Sequence, residues 1–379
     1  MPSLSSEERQ QLHDSLQELL ADKYPFEHWK KLARAPGGEG FGRAEWKQFA
    51  DMGWLGISMP EEAGGSAGSM TELGIVMAGV GRFILLEPFI GTVVLGAGAI
   101  ELAGSARQRE LLAQIASGDL ILAFCHGEPN GGYARDYVKT VAKKDGDGYS
   151  LTGEKTFALH AHAADLLVVS ARIGSENGSL GLFLVPRTAS GVTVLPAPAL
   201  DGRQGGAVRL DAVKVEASGR LGDGDKDLAS VVDTLIDRAV IAACAEAVGA
   251  MAGVTDQTVE YLKTRQQFGQ PLSKFQVLQH RLVDMSVSTE EARAIVHAAL
   301  QALDDQAPDA QRTVWMAKVK TAQAARFVGG QGIQLHGGMG MTDELSIGHY
   351  YKRLTICETL FGDGEWYLRQ LSGNEQKVA

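Results

Sequence analysis

The sequence predicts an α+β protein built in three successive parts: helical, β-rich and helical again. Residues 1–118 repeat apolar side chains at helical spacing, and residues 119–226 break into short β-rich runs separated by turn formers. Residues 227–379 return to the helical period. A chain of 379 residues, 45% of them hydrophobic, can bury a sizeable core in two or three domains.

In the first part, Ser5 and Glu8 have capping-box spacing, and Leu12, Leu16, Leu19 and Leu20 follow as one apolar stripe. The stretch Ser105–Gln108 opens another helix, with Leu111, Leu112 and Ile115 on one face and Gly118 as its stop. The most apolar run, Phe83–Leu102, is interrupted by Glu87, Pro88 and several glycines, so it reads as a buried helix pair or loop rather than a membrane span. In the second part the runs LILAFC, YSLTGEKTFAL, DLLVVSA, GLFLVP, GVTVLP and AVRLDAVKV alternate with turns such as DGDG at 145–148. With no helices between them, they predict a small antiparallel barrel or sandwich. In the third part, helices are expected over 230–263, 310–333 and 345–372. Gly249 and Gly253 lie four apart and permit close helix approach. Phe275, Leu278, Leu282 and Met285 continue the stripe after a Gly269-Gln270-Pro271 turn.

The net charge of −10 argues against a nucleic-acid binder, which would need a basic field. Cys125, Cys244 and Cys357 are far apart and form neither a disulfide framework nor a zinc motif. The opening MPSLSSEERQQLHDSL is too polar for a signal peptide, so a cytoplasmic protein with no metal and no membrane span is expected. The hydrolase-like Gly64-Gly65-Ser66-Ala67-Gly68 lacks the preceding strand that a nucleophile elbow requires. His160 and His162 have no third ligand nearby and read as a turn with two solvated imidazoles.

Two segments carry chemistry. In Leu262–Met285 a helix ends at Phe268-Gly269, Pro271 prevents its continuation, and Arg265, Gln276 and Gln279 surround the corner. Arg and amide donors converging on a glycine turn suit a dinucleotide pyrophosphate, although an ordinary exposed corner fits the same local pattern. The second segment, QLHGGMG at 334–340, follows a helix, and its clustered glycines allow close approach to a phosphate or nucleotide.

Together with MGWLGISMPEEAGG at 52–65, AFCHGEP at 123–129 and LTGEKTFALHAHAADLLVVSA at 151–171, these segments resemble the acyl-CoA dehydrogenases over nearly the full chain. CAEAVGAM, VLQHR and HYYKRLTICETLFGD resemble in particular the small-subunit type of pimeloyl-CoA dehydrogenase. The resemblance implies an N-terminal helical domain, a central antiparallel β-barrel and a C-terminal four-helix bundle. It also implies FAD as cofactor and a homotetramer, or a heteromer with a homologous subunit. Arg265, Phe268 and Gln276 would contact the FAD of a neighbouring subunit, and Gln334, Gly337 and Gly338 its adenosine side. The backbone around Phe124, Cys125 and Gly127, and from Phe157 to Leu159, would border the isoalloxazine ring.

The implied reaction is α,β-dehydrogenation of an acyl-CoA thioester, with electrons passed to an electron-transfer flavoprotein. It needs a buried carboxylate as base. In the family pattern that Glu precedes the glycine of the last loop, where this chain has Phe361. A minority arrangement, that of isovaleryl-CoA dehydrogenase, places the base on the helix before RxxFG. Ungapped counting gives Ala239 there, and a two-residue shift gives Asp237. Glu246, on the same helix face as Ala239, and Asp363 or Glu365 in the last loop are the other candidates, with a base from a partner subunit as the further alternative. The expected substrate has a non-standard acyl group, such as dicarboxylyl, branched or cyclic. A flavin-sharing subunit without catalysis and a flavin oxidase or monooxygenase on the same fold are the competing readings.

Overall fold

A computed structural model describes residues 4–35, 38–222 and 226–373. The first part comprises α1 (Ser6–Lys23), α2 (Phe26–Ala33), α3 (Arg43–Asp51) and α4 (Met70–Arg82). A π-helical segment (Phe89–Ala97) then runs into α5 (Gly98–Ala103), followed by α6 (Ala106–Arg109) and α7 (Leu111–Ala116). The capping boxes form at Ser5/Glu8 and Ser105/Gln108, and a third forms at Ser69/Glu72. The apolar run is buried as the π-helical segment, with Phe89 through Ala97 all inside.

The second part is one curled sheet of β1 (Leu122–Cys125), β2 (Val141–Asp145), β3 (Gly148–Leu159), β4 (Leu166–Ile173), β5 (Leu180–Pro186), β6 (Val192–Pro198) and β7 (Gln204–Val215). Hairpins account for the antiparallel pairs β2–β3, β4–β5 and β6–β7. The sheet departs from the expected antiparallel order in one place: β4 pairs parallel with β1 at one end and with β2 at the other. The crossover between β1 and β2 makes this possible, because it carries the chain along β4 instead of reversing it. Strand β2 (VAKKD) is not among the expected runs, because three of its five residues are exposed and charged.

The third part holds α8 (Ala229–Thr264), a two-stranded ribbon of β8 (Gln266–Gln267) and β9 (Gln270–Pro271), α9 (Gln276–Asp304), α10 (Ala310–His336), α11 (Ile347–Thr359) and α12 (Gly364–Leu371). The stretch expected as one helix over 345–372 is therefore two. Phe361 at φ 60° and Gly362 at φ 116° reverse the chain between them. Lys318, fully buried on α10, donates to the carbonyls of Cys357 (2.6 Å) and Leu360 (2.9 Å) and so closes the end of α11. Gly249 lets α8 meet α4, since a Cβ there would lie 1.8 Å from the Ala78 carbonyl oxygen. Gly253 lets α8 approach Tyr350, where a Cβ would lie 2.8 Å from the ring.

Candidate active site

Just past the end of β1, the Gly127 carbonyl accepts from Thr156 N–H of β3 at 2.8 Å. This brings Phe124, Cys125 and Gly127 beside Phe157 and Leu159. Phe157 leaves 43% of its surface exposed, while Phe124, Cys125 and Leu159 are buried. A partly uncovered aromatic face beside open glycine backbone, with no carboxylate among these five residues, fits a flat heterocycle such as the flavin ring. Behind these residues, Lys155 (1% exposed) donates to Glu128 at 2.6 Å, to Ser170 at 3.0 Å and to the His126 carbonyl at 3.3 Å. Burial lowers the His126 pKa to about 3, so this imidazole is neutral.

The crossover after β1 carries Arg135 across to the helices. Its Nη2 donates to Asp237 Oδ1 at 2.6 Å and to Tyr367 Oη at 3.2 Å. Asp237 also accepts from Gln311 Nε2 at 2.9 Å and from Trp315 Nε1 at 3.3 Å. Burial pushes the Tyr367 hydroxyl up to about 12, so it stays protonated and donates to the Phe361 carbonyl at 2.6 Å. A cleft of about 860 Å³ between the sheet and the helices is lined here by Arg135, Asp233, Gln311, Trp315, Trp366 and Tyr367, among others. Arg135 and Tyr367, which line the cleft, thus connect the buried Asp237 behind it to the carbonyl of the Phe361 turn. Nothing in the sequence marks Arg135, Gln311, Trp315 or Tyr367 as a group. They come from segments more than 40 residues apart, and no local pattern marks them.

The other carboxylates lie elsewhere or serve the fold. Glu246 is fully buried in a quartet of charges. It accepts from Arg353 at 2.8 Å and Arg203 at 3.3 Å, and both arginines also pair with Asp201 at 2.7 Å. Although burial works against ionisation, the two guanidiniums hold Asp201 below the usual carboxylate range. Asp363 caps α12, its Oδ1 accepting from Trp366 N–H at 2.7 Å. The two histidines are not a solvated turn: His160 is 2% exposed, with Nε2 at 2.8 Å from the Leu86 carbonyl, and His162 Nε2 lies 2.8 Å from that of Glu39. No group of His, Cys, Asp and Glu among the described residues could hold a metal ion.

The nucleotide-like segments share the far end of the bundle. Gln266 and Gln267 pair with Pro271 and Gln270 around Phe268-Gly269, which adopt φ 55° and 79°. The corner between α8 and α9 is thus a tight hairpin with a two-residue turn of positive φ, which suits an X-Gly pair. Phe268 stands at its tip, 89% exposed, with Arg265 and Gln276 also exposed. Tyr261 donates to the His336 carbonyl at 3.3 Å and stacks on its ring at 4.3 Å, which brings the end of α10 alongside. There Gln334, Gly337 and Gly338 are exposed, and a Cβ on either glycine would meet nothing within 4 Å. Asp237 and Arg265 are 28 residues apart on α8 and at its end, or about 40 Å at 1.5 Å per residue. One chain therefore does not bring the two sets of residues together.

Comparison with known proteins agrees with this layout. The N-terminal, middle and C-terminal domains of acyl-CoA dehydrogenase match residues 6–119, 123–213 and 229–374. The chain is 30% identical to the probable acyl-CoA dehydrogenase YngJ of Bacillus subtilis over 334 residues, covering 86% of this chain and 87% of the relative. It is 30% identical to the 3-(aryl)acrylate reductase of Clostridium sporogenes over 340 residues, covering 84% and 86%. Among solved structures, the ChsE4-ChsE5 complex from Mycobacterium tuberculosis matches with a TM-score of 0.88 at 25% identity, over 98% of both chains. Three domains matched in the order of the fold, with relatives aligned along most of their length, make this protein a member of the acyl-CoA dehydrogenase family of FAD-binding oxidoreductases that act on CH–CH bonds.

Proposed function

We propose that this protein catalyses FAD-dependent α,β-dehydrogenation of an acyl-CoA thioester with a non-standard acyl group, with Asp237 as the base and an electron-transfer flavoprotein as electron acceptor. The observation that carries this reading is the cleft of about 860 Å³ lined by Arg135 and Tyr367, whose hydrogen bonds reach Asp237 and the Phe361 turn just behind it. Phe124, Cys125, Gly127, Phe157 and Leu159 would hold the flavin ring. Arg265, Phe268, Gln276, Gln334, Gly337 and Gly338 would hold the far end of an FAD bound to a second copy. When bound, FAD would supply the acceptor for the β-hydride and Asp237 the acceptor for the α-proton, so that two C–H bonds would break and one C=C bond would form. The chain's own part is to orient the thioester, exclude water with Trp315 and Trp366, and hold the proton on Asp237. The test is a ferrocenium-coupled assay of the purified FAD-loaded protein over a panel of CoA esters. Flavin bleaching with at least one ester is expected, and bleaching with none sinks the reading for the lone chain.

A second reading is a flavin-sharing subunit that does no chemistry in a heteromeric dehydrogenase. Phe361 at the usual base position favours it, as does the engagement of both Asp237 oxygens by Arg135, Gln311 and Trp315. Co-purification with a homologous chain would support it. Turnover by the pure protein, lost in Asp237→Asn, would rule it out.

A further inference from the structure

The guanidinium of Arg135 stands between the cleft and Asp237. Arg135 lines the cleft together with Asp233, Gln311, Trp315 and Tyr367, and Asp237 does not. The two side chains are 16% and 7% exposed. The Nη1 of Arg135 donates to the Asp233 carbonyl at 3.3 Å and lies 3.7 Å from its carboxylate. The other cations lining the cleft are engaged elsewhere: Lys139 pairs with Glu176 at the solvent edge, and Arg172 donates to the carbonyls of Asp136 and Gly178. Arg135 is thus the lining cation held by a buried carboxylate.

This arrangement blocks the base. Asp237 Oδ1 carries both the Arg135 and the Trp315 hydrogen bonds, and Oδ2 carries that of Gln311. Drawing Arg135 away leaves one of the two charges unpaired in a buried place, which is strongly unfavourable unless a new anion meets it. A neutral acyl chain offers no such anion. A ligand carboxylate does, and it matches the planar fork of the guanidinium. The phosphates of CoA are common to every CoA ester and so cannot discriminate between acyl groups.

Resting on the reading of this cleft as an acyl-CoA site, we propose that Arg135 is a substrate-operated gate. The substrate it selects is an acyl-CoA whose acyl group carries a second carboxylate. That carboxylate takes the place of Asp237 on the guanidinium, and Oδ1, released by Arg135 and keeping only the Trp315 hydrogen bond, accepts the α-proton.

Isothermal titration of the FAD-loaded protein with succinyl-CoA, butyryl-CoA and CoA tests the gate, because the two esters share chain length and differ in the terminal carboxylate. Succinyl-CoA is expected to bind at least tenfold more tightly than butyryl-CoA. In Arg135→Met the difference should fall to within twofold, with the affinity for CoA unchanged. The double variant Arg135→Met/Asp237→Asn removes both buried charges together. It should show the same loss and serves where the single variant does not fold. Equal binding of the two esters by the unaltered protein overturns the gate alone, as does a preference that survives in the folded variants. Failure of every ester and of CoA itself to bind overturns both the gate and the acyl-CoA reading.

Discussion

Glu87 and His160 lie on either side of Leu86, and burial moves their pKa values in opposite directions on the charge scale. The Glu87 carboxylate accepts from Tyr24 Oη at 3.0 Å, Leu86 N–H at 3.1 Å and Gly42 N–H at 3.2 Å, yet burial raises its pKa from 4.5 to about 7. The folded protein therefore binds more protons here than the unfolded chain between those values, and Glu87 withdraws stability as pH rises through that window. The shift corresponds to about 3 kcal/mol. Glu87→Gln should lose about 3 kcal/mol less than the unaltered protein between pH 5 and pH 8, as read from urea unfolding. His160 acts oppositely. Burial lowers its pKa from 6.5 to about 3, so its contribution is present above pH 6.5 and fades as pH falls toward 3. The buried quartet supplies a second prediction at this scale. Glu246→Ala leaves Arg203 and Arg353 facing Asp201 alone, and should cost about 3–5 kcal/mol in unfolding free energy. A catalytic role for Glu246 would instead show as lost turnover at unchanged stability.

Among the elements, α4 and α8 cross with backbone close to backbone. A Cβ at Gly249 would lie 1.8 Å from the Ala78 carbonyl oxygen, and one at Gly81 would lie 1.7 Å from that of Glu246. Neither obstacle is a side chain that can turn aside, so the helices themselves would have to part. Gly249→Ala should lower stability by about 3 kcal/mol or more. The control is Gly330→Ala on α10, where a Cβ meets nothing within 4 Å. It should raise stability by about 0.5–1 kcal/mol through helix propensity alone. Thermal melts of the two variants beside the unaltered protein would check both signs.

Across the whole molecule, the exposed apolar side chains concentrate at the bundle's surface. Phe268 at the hairpin tip is 89% exposed, and Val277, Val283 and Val287 of α9 are 62%, 59% and 52% exposed. On the proposed reading, a second copy covering this face would carry the hairpin of one chain to the flavin of the other. Replacing Arg265 and Phe268 together by alanine should reduce FAD affinity at least tenfold while leaving the circular dichroism spectrum unchanged. The ratio of flavin to protein absorbance after gel filtration measures it. No helix among the described residues is long and apolar enough to cross a membrane.

The order of helical, β-rich and helical parts, the capping boxes at Ser5 and Ser105, and six of the seven strands of the main sheet could be read from the chain alone. Each rests on short-range periodicity or on side chains that bond to their own backbone. The segments RQQFGQPLSKFQ and QLHGGMG likewise carry enough local pattern to identify the family. The tertiary structure decided what distant residues do to one another. It brought Arg135, Gln311 and Trp315 onto Asp237, enclosed Glu246 with Asp201, Arg203 and Arg353, and split the last expected helix at Phe361 and Gly362. The physical reason is that a carboxylate's role depends on the charges and donors around it. Here those come from the β1–β2 crossover, the β6–β7 hairpin and separate helices, which only the folded chain brings together.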